Sequence, residues 1–157
     1  MKQLLLFVSI ALASGLLLTN IYTSLVDAKS WGANIPQSIE TAREYFKTVN
    51  AGNFFRIFSP ANQVAGLLAL ILFWKVSATA RIYLGLALAL YVCADVLTFA
   101  YFYPRNAIIF EKGSLTDIDT LKNALNGWRT MNWVRSFVVF AGLVFSFMAL
   151  NEIYNAK

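Results

Sequence analysis

The chain contains no histidine and only one cysteine. The first absence removes His-ligated haem, His-ligated zinc and every acid–base scheme that turns on an imidazole. The second removes any disulfide within the chain. Cys93 sits in an apolar run, where a small buried residue is the simplest reading. Charge is scarce too, with 13% of residues charged, about half the share of an ordinary soluble domain. There is no phosphate-binding glycine loop, no dinucleotide fingerprint and no CxxC pair. What charge there is sums to +5 without a dense basic cluster, so nucleic acid is not an expected partner; anionic lipid headgroups account for scattered Lys and Arg equally well.

What the chain has is apolar residues, 59% of its 157, gathered into blocks. The length allows one domain, and its solvent is lipid. The blocks predict an all-α fold, a transmembrane four-helix bundle with amphipathic connecting helices. The spans are expected at about 4–26, 57–76, 78–103 and 131–154. Ala11-Leu12-Ala13 resembles a signal-peptide cleavage site, but the apolar run continues past it, so the first block reads as an uncleaved span. Pro60 is expected in the first turn of the second span, and Pro104 is expected to stop the third. Ile39, Ala42, Tyr45, Phe46 and Val49 recur at helical spacing, predicting an amphipathic helix over about 37–49. A second is expected over about 116–128, capped by Thr116 or Asp117. It runs straight into the last span or bends at Gly127. Asp117 and Asp119 read as capping residues rather than metal ligands.

Four spans put both termini on one side. Nine of the 13 Lys and Arg fall in the two long connections or, as Arg135, just inside the span that follows, while Lys75 and Arg81 flank the short hairpin on the side of Lys2 and Lys157. Charges close to span ends weigh most, and the arginines of the long connections read as held by the fold. The expected orientation is therefore termini inside.

Several polar residues sit where lipid should exclude them. Asp95 lies over half way along the third span, and a carboxylate there either finds a cation or hydrogen-bond donor or takes up a proton. Arg135, on the antiparallel last span, is the expected partner. Trp128, Asn132 and Arg135 stand at i, i+4 and i+7 and fall within about 60° of one helix face. Arg129 and Trp133 point elsewhere and suit the headgroup belt. Asn20 ends the first span, Arg56 precedes the second and Asn106 follows the third. Alternating span directions bring all of them to the same end of the bundle. The expectation is a polar cavity beside Asp95, Trp128 and Arg135, roofed by the connecting helices. A structural ion pair or a plain interface belt explains the same residues without any ligand.

Pro104 and Asn106 after the third span, an amphipathic stretch, then W-x-x-x-N-W-V-R (Trp128, Asn132, Arg135) entering the last span, resemble the DUF1772 family of small four-span membrane proteins. The Arg56–Pro60 element fits as well. That family includes proteins resembling fungal anthrone oxygenases, and the resemblance implies oxidation of polyphenolic anthrones to anthraquinones by oxygen with no cofactor. Such chemistry needs a general base. With no histidine in the chain, Asp95 is the one deep carboxylate for that role.

Three functions follow. The first is a site acting on a lipophilic aromatic or quinone-like molecule, with Asp95 exchanging a proton, Arg135 holding a phenolate or enolate oxygen, and Asn20, Arg56, Asn106, Trp128 and Asn132 contacting the ligand. The second is non-catalytic binding or transport of such a molecule, and the third a structural assembly role. The expected setting is a bacterial cytoplasmic (inner) membrane. Membrane lipid and a hydrophobic ligand are the expected partners, with room for a homo-oligomer and no cofactor or metal.

Overall fold

The computed structural model describes residues 2–111 and 117–156; Thr116 and Lys157 lie outside them. The regular elements are helical: α1 (Lys2–Tyr22), a π-helical turn (Thr23–Asp27), α2 (Ala28–Trp31), α3 (Gln37–Tyr45), α4 (Ala51–Phe73), α5 (Ala78–Leu97), a second π-helical turn (Thr98–Phe102), α6 (Tyr103–Phe110) and α7 (Ile118–Asn155). Four continuous rods are long and apolar enough to cross a membrane: Gln3–Trp31, Ala51–Phe73, Ala78–Phe110 and Ile118–Asn155. The protein is an all-α, four-span integral membrane bundle. Each rod packs on its neighbours in sequence, α1 on α4, α4 on α5, α5 on α7, and α7 closes the ring on α1.

One pattern runs through the packing. The buried stripe of α7 goes from Leu121 through Leu125, Trp128, Asn132, Arg135 and Val139 to Gly142, Ser146, Ala149 and Ile153, alternating steps of four and three. Ser59, Asn62, Gly66, Ala69 and Phe73 repeat it on α4, and Ala80, Leu84, Ala87, Tyr91 and Ala94 on α5. A 3.5-residue period keeps one seam facing the bundle axis and imposes left-handed coiling. Lipid tails give no hydrophobic drive for helices to associate, so close approach matters, and small residues provide it. A Cβ on Gly142 would stand 2.7 Å from the Tyr91 ring.

The two π-helical turns each insert a residue and shift the seam by one. After Asn20 and Ser24 the next buried residue is Ala28, and after Ala94 it is Phe102. The second turn also explains why Pro104 does not stop the third span. A widened turn just before the proline takes up its missing N–H and its ring, and the rod continues to Phe110. Pro60 lies well inside α4, not in its first turn, because Asn50 starts the helix with a reciprocal capping box to Asn53.

Gly127 is no bend. α7 is one helix of 38 residues, about 57 Å long, and Gly127 marks a close approach: a Cβ there would be 3.0 Å from both Arg105 Nε and the Tyr101 hydroxyl. Asp117 caps the rod. The Thr120 hydroxyl and backbone N–H both donate to its carboxylate and hold it below its ordinary pKa. α3 is shorter than its apolar spacing predicts. Ile39 and Ala42 are buried, while Tyr45 and Val49 are exposed. It caps the polar end, where Arg43 donates to the Ile109 carbonyl at 2.9 Å and the Ile108 carbonyl at 3.2 Å, two groups left open by the end of α6. Cys93, expected to be buried, is exposed on α5, one position off the buried seam residue Ala94.

Candidate functional site

The seam changes character toward the end where the long connections lie. Asn132 is fully buried at 0% exposure, and its Nδ2 donates to the Asn20 backbone carbonyl at 2.9 Å and to Ser24 Oγ at 2.7 Å. Its Oδ1 accepts from Arg135 Nη2 at 2.6 Å, and Arg135 Nη1 donates to Thr98 Oγ1 at 3.2 Å. Ser24 belongs to the first π-helical turn and Thr98 to the second. The two irregular turns thus face each other across α7 and supply its polar partners, a placement common for π-turns at functional sites.

Arg135 is 6% exposed, and its guanidinium lies between two rings, Phe102 at 4.2 Å and Phe55 at 5.1 Å from Cζ. No ion pair joins it to Asp95. Asp95 is instead held from α4, where Ser59 Oγ donates to Oδ1 at 2.7 Å and Gln63 Nε2 to Oδ2 at 2.6 Å. It remains half-buried, within electrostatic reach of Arg135 and three residues from Thr98 on the same rod. The expected salt bridge is therefore replaced by two neutral donors, because Ser59 and Gln63 stand one helical turn apart on the α4 face that meets α5.

Two buried polar atoms of this network have no partner, Arg135 Nε and Asn20 Oδ1. One is a donor and the other an acceptor. Desolvating such a group without a hydrogen bond costs about 1–3 kcal/mol. A guanidinium within a span costs about 2.5–3.5 kcal/mol. Three interhelical hydrogen bonds at about 0.6 kcal/mol each and a desolvated cation–π contact of about 2 kcal/mol roughly offset the cost of the guanidinium, leaving little net stabilisation.

The remaining expected residues divide. Trp128 Nε1 donates to Asn106 Oδ1 at 2.9 Å, so these two engage each other. The Trp128 ring packs edge-on against Phe102 at 5.5 Å and Trp31 at 5.2 Å, inside a second core built from α2, α3, α6 and the start of α7. Arg129 and Trp133 are exposed. Arg56 does not join the network. It is exposed and hydrogen-bonds none of these groups, because one residue past Phe55 it points about 100° away from the inward face. Trp128, Asn132 and Arg135, expected to line a cavity beside Asp95, are all buried. The depressions seen lie at the opposite end, one walled by Tyr83, Phe147 and Glu152, another by Gln3, Phe7 and Tyr154.

Sequence reasoning missed Ser24, Phe55, Gln63 and Trp31. Ser24 and Trp31 lie where a π-turn shifts the register, which apolar spacing does not reveal. Phe55 and Gln63 were legible as the i−4 and i+4 neighbours of Ser59, once the second span is allowed to start at Ala51. No group of three or more metal-ligating side chains occurs among the described residues.

No curated protein and no solved structure matches this chain. Residues 48–145 match the family model described as anthrone oxygenase. That stretch runs from just before α4 into the last third of α7 and contains Phe55, Ser59, Asp95, Thr98, Asn132 and Arg135. The chain belongs to the anthrone oxygenase family.

Proposed function

We propose that this protein binds a lipophilic, enolisable aromatic molecule at the Arg135 end of the bundle and promotes its oxidation by dioxygen. The observation that carries the reading is a buried guanidinium with no carboxylate against it and one free N–H. Such a group, between aromatic faces and shielded from water, is suited to a developing enolate or phenolate oxygen.

For anthrone the reaction balances as anthrone plus dioxygen giving anthraquinone plus water. Asp95 takes the proton from the methylene carbon opposite the carbonyl, and the electron pair moves onto the carbonyl oxygen, where Arg135 holds it. Dioxygen adds at the deprotonated carbon and is reduced to a hydroperoxide, which takes a proton. Loss of the remaining hydrogen on that carbon with hydroxide as leaving group then gives the second carbonyl and water. Asp95 and Arg135 form no ion pair with each other, which leaves a ligand free to lie between base and cation. Ser59 and Gln63 donate to both carboxylate oxygens and keep a lone pair on each directed. Helical spans, rather than a β-barrel, favour a bacterial cytoplasmic membrane as the setting.

A carrier or sensor that binds the same molecule without turnover is the second reading, favoured by the lack of an ion pair between Arg135 and Asp95 that would couple cation and base. The test supplies anthrone to protein in nanodiscs and follows anthraquinone formation and oxygen uptake. Uptake equal to product, at a rate well above the protein-free background and lost in Asp95→Asn, supports the oxygenase. Saturable binding at the background rate supports the carrier.

A further inference from the structure

The two rings on the Arg135 guanidinium are not equivalent. Phe102 is 1% exposed and fixed in the core, whereas Phe55 is half-buried and farther from the cation, 5.1 Å against 4.2 Å. Phe55 lies four residues before Ser59, and Ser59 reaches Asp95, so Phe55 stands on the α4 face turned toward α5. The stretch of α4 that carries it is loosely tied on both counts that matter. Pro60 has no N–H for the Arg56 carbonyl, and of the four sides of the ring the α4–α5 side is the least extensively packed. The guanidinium that Phe55 covers keeps its Nε without a partner. Outside it, Ile57 and Phe58 already face the bilayer.

We infer that Phe55 is a displaceable plug whose ring holds the place that an aromatic ligand takes over Arg135, and that the ligand reaches it from the bilayer through the α4–α5 side. This rests on the reading of Arg135 as an anchor for an aromatic ligand. One ring over the cation is exchanged for another, and the displaced phenylalanine moves into lipid, so the exchange carries little cost. An open apolar cavity at this depth would fill with acyl chains. The plug yields only to a flat ring that restores the cation–π contact and also occupies Nε, so Phe55 selects planar aromatics against aliphatic lipid.

The test measures anthrone binding in nanodiscs by quenching of tryptophan fluorescence, with oleate as the aliphatic competitor. Wild type, Phe55→Leu, Phe55→Ala, Phe55→Trp and Arg135→Gln are compared, each with its melting temperature. Phe55→Leu keeps apolar bulk in case Phe55→Ala does not fold. The expected result is anthrone affinity raised about three- to tenfold in Phe55→Leu, because the bound state no longer competes with the plug. Oleate, inert toward wild type, competes in that variant, and Phe55→Trp binds anthrone more weakly. If Phe55→Leu binds anthrone no more tightly than wild type while Arg135→Gln abolishes binding, the plug is overturned and the anchor stands. If wild type shows no Arg135-dependent binding, both fall.

Discussion

Toward the hairpin end of the bundle, α5 meets α7 through Ala80, Ala87 and Tyr91 against Gly142, Ala149 and Ile153. Toward the other end the same two rods meet through Thr98 and Phe102 against Arg135. The four–three spacing is unbroken from one end of α7 to the other, so geometry does not distinguish the halves; chemistry does. The hairpin half satisfies its polar groups in pairs, Tyr91 with Ser146 at 2.9 Å and Ser9 with Asn62 at 3.0 Å, although Asn62 Nδ2 is left over. The other half buries a cation with neutral partners and leaves a donor and an acceptor unused. Where helices need only to be held together, close packing of small residues does it. A guanidinium that contributes little to holding them is better explained by what it binds.

The comparison breaks if substitutions in the two halves have the same consequences. The largest effect is expected for Asp95→Asn, which should lower anthrone oxidation by about 10²–10⁴-fold while anthrone affinity changes little; rapid-mixing kinetics beside equilibrium binding separates the two. Next comes Gly142→Ala in the hairpin half. Its Cβ meets the buried Tyr91 ring, so it should destabilise by about 1–3 kcal/mol, read as a lower melting temperature, with anthrone binding unchanged. Asn132→Ala is intermediate. It strips Arg135 Nη2 and Ser24 of their partner, should cost about 1–3 kcal/mol, and should also weaken binding, because the guanidinium loses its orientation.

The smallest effect concerns Asp117, outside the membrane. Its carboxyl titrates lower in the folded protein than in the unfolded chain, so the contribution of the cap is present above the unfolded value and is lost as pH falls through the folded one. Protection of the Thr120 and Leu121 amides, measured as exchange relative to the unfolded chain at the same pH, should therefore fall on acidification below the ordinary carboxylate range, with no matching change at Ala149.

Much of the fold is legible from the residues, and for a physical reason. Bilayer thickness sets the span length, and a 3.5–3.6 period assigns faces, so four apolar rods and the inward set Trp128, Asn132 and Arg135 can be read off one strand of text. Register between helices cannot. Neither π-helical turn has a composition that marks it, yet each moves everything beyond it by one residue, which is how Trp31 and Phe102 come to flank Trp128. Pro104 misleads because the turn before it absorbs the break, and Gly127 misleads because a glycine permits close approach as readily as a bend. A buried carboxylate points to a cation as its partner, whereas α4 presents Ser59 and Gln63 at the right height. Arg56 falls outside the network because Phe55, its neighbour, faces inward.

The central claim is that the Arg135 end is arranged for a ligand rather than for holding the helices. Thermal unfolding of Arg135→Met without ligand tests it most directly, with anthrone binding measured on the same sample. A melting temperature equal to or above that of wild type is expected, since a buried charge whose contacts only roughly offset its cost is replaced by an apolar chain of similar length, together with loss of binding. A fall of several degrees with anthrone binding intact would contradict it.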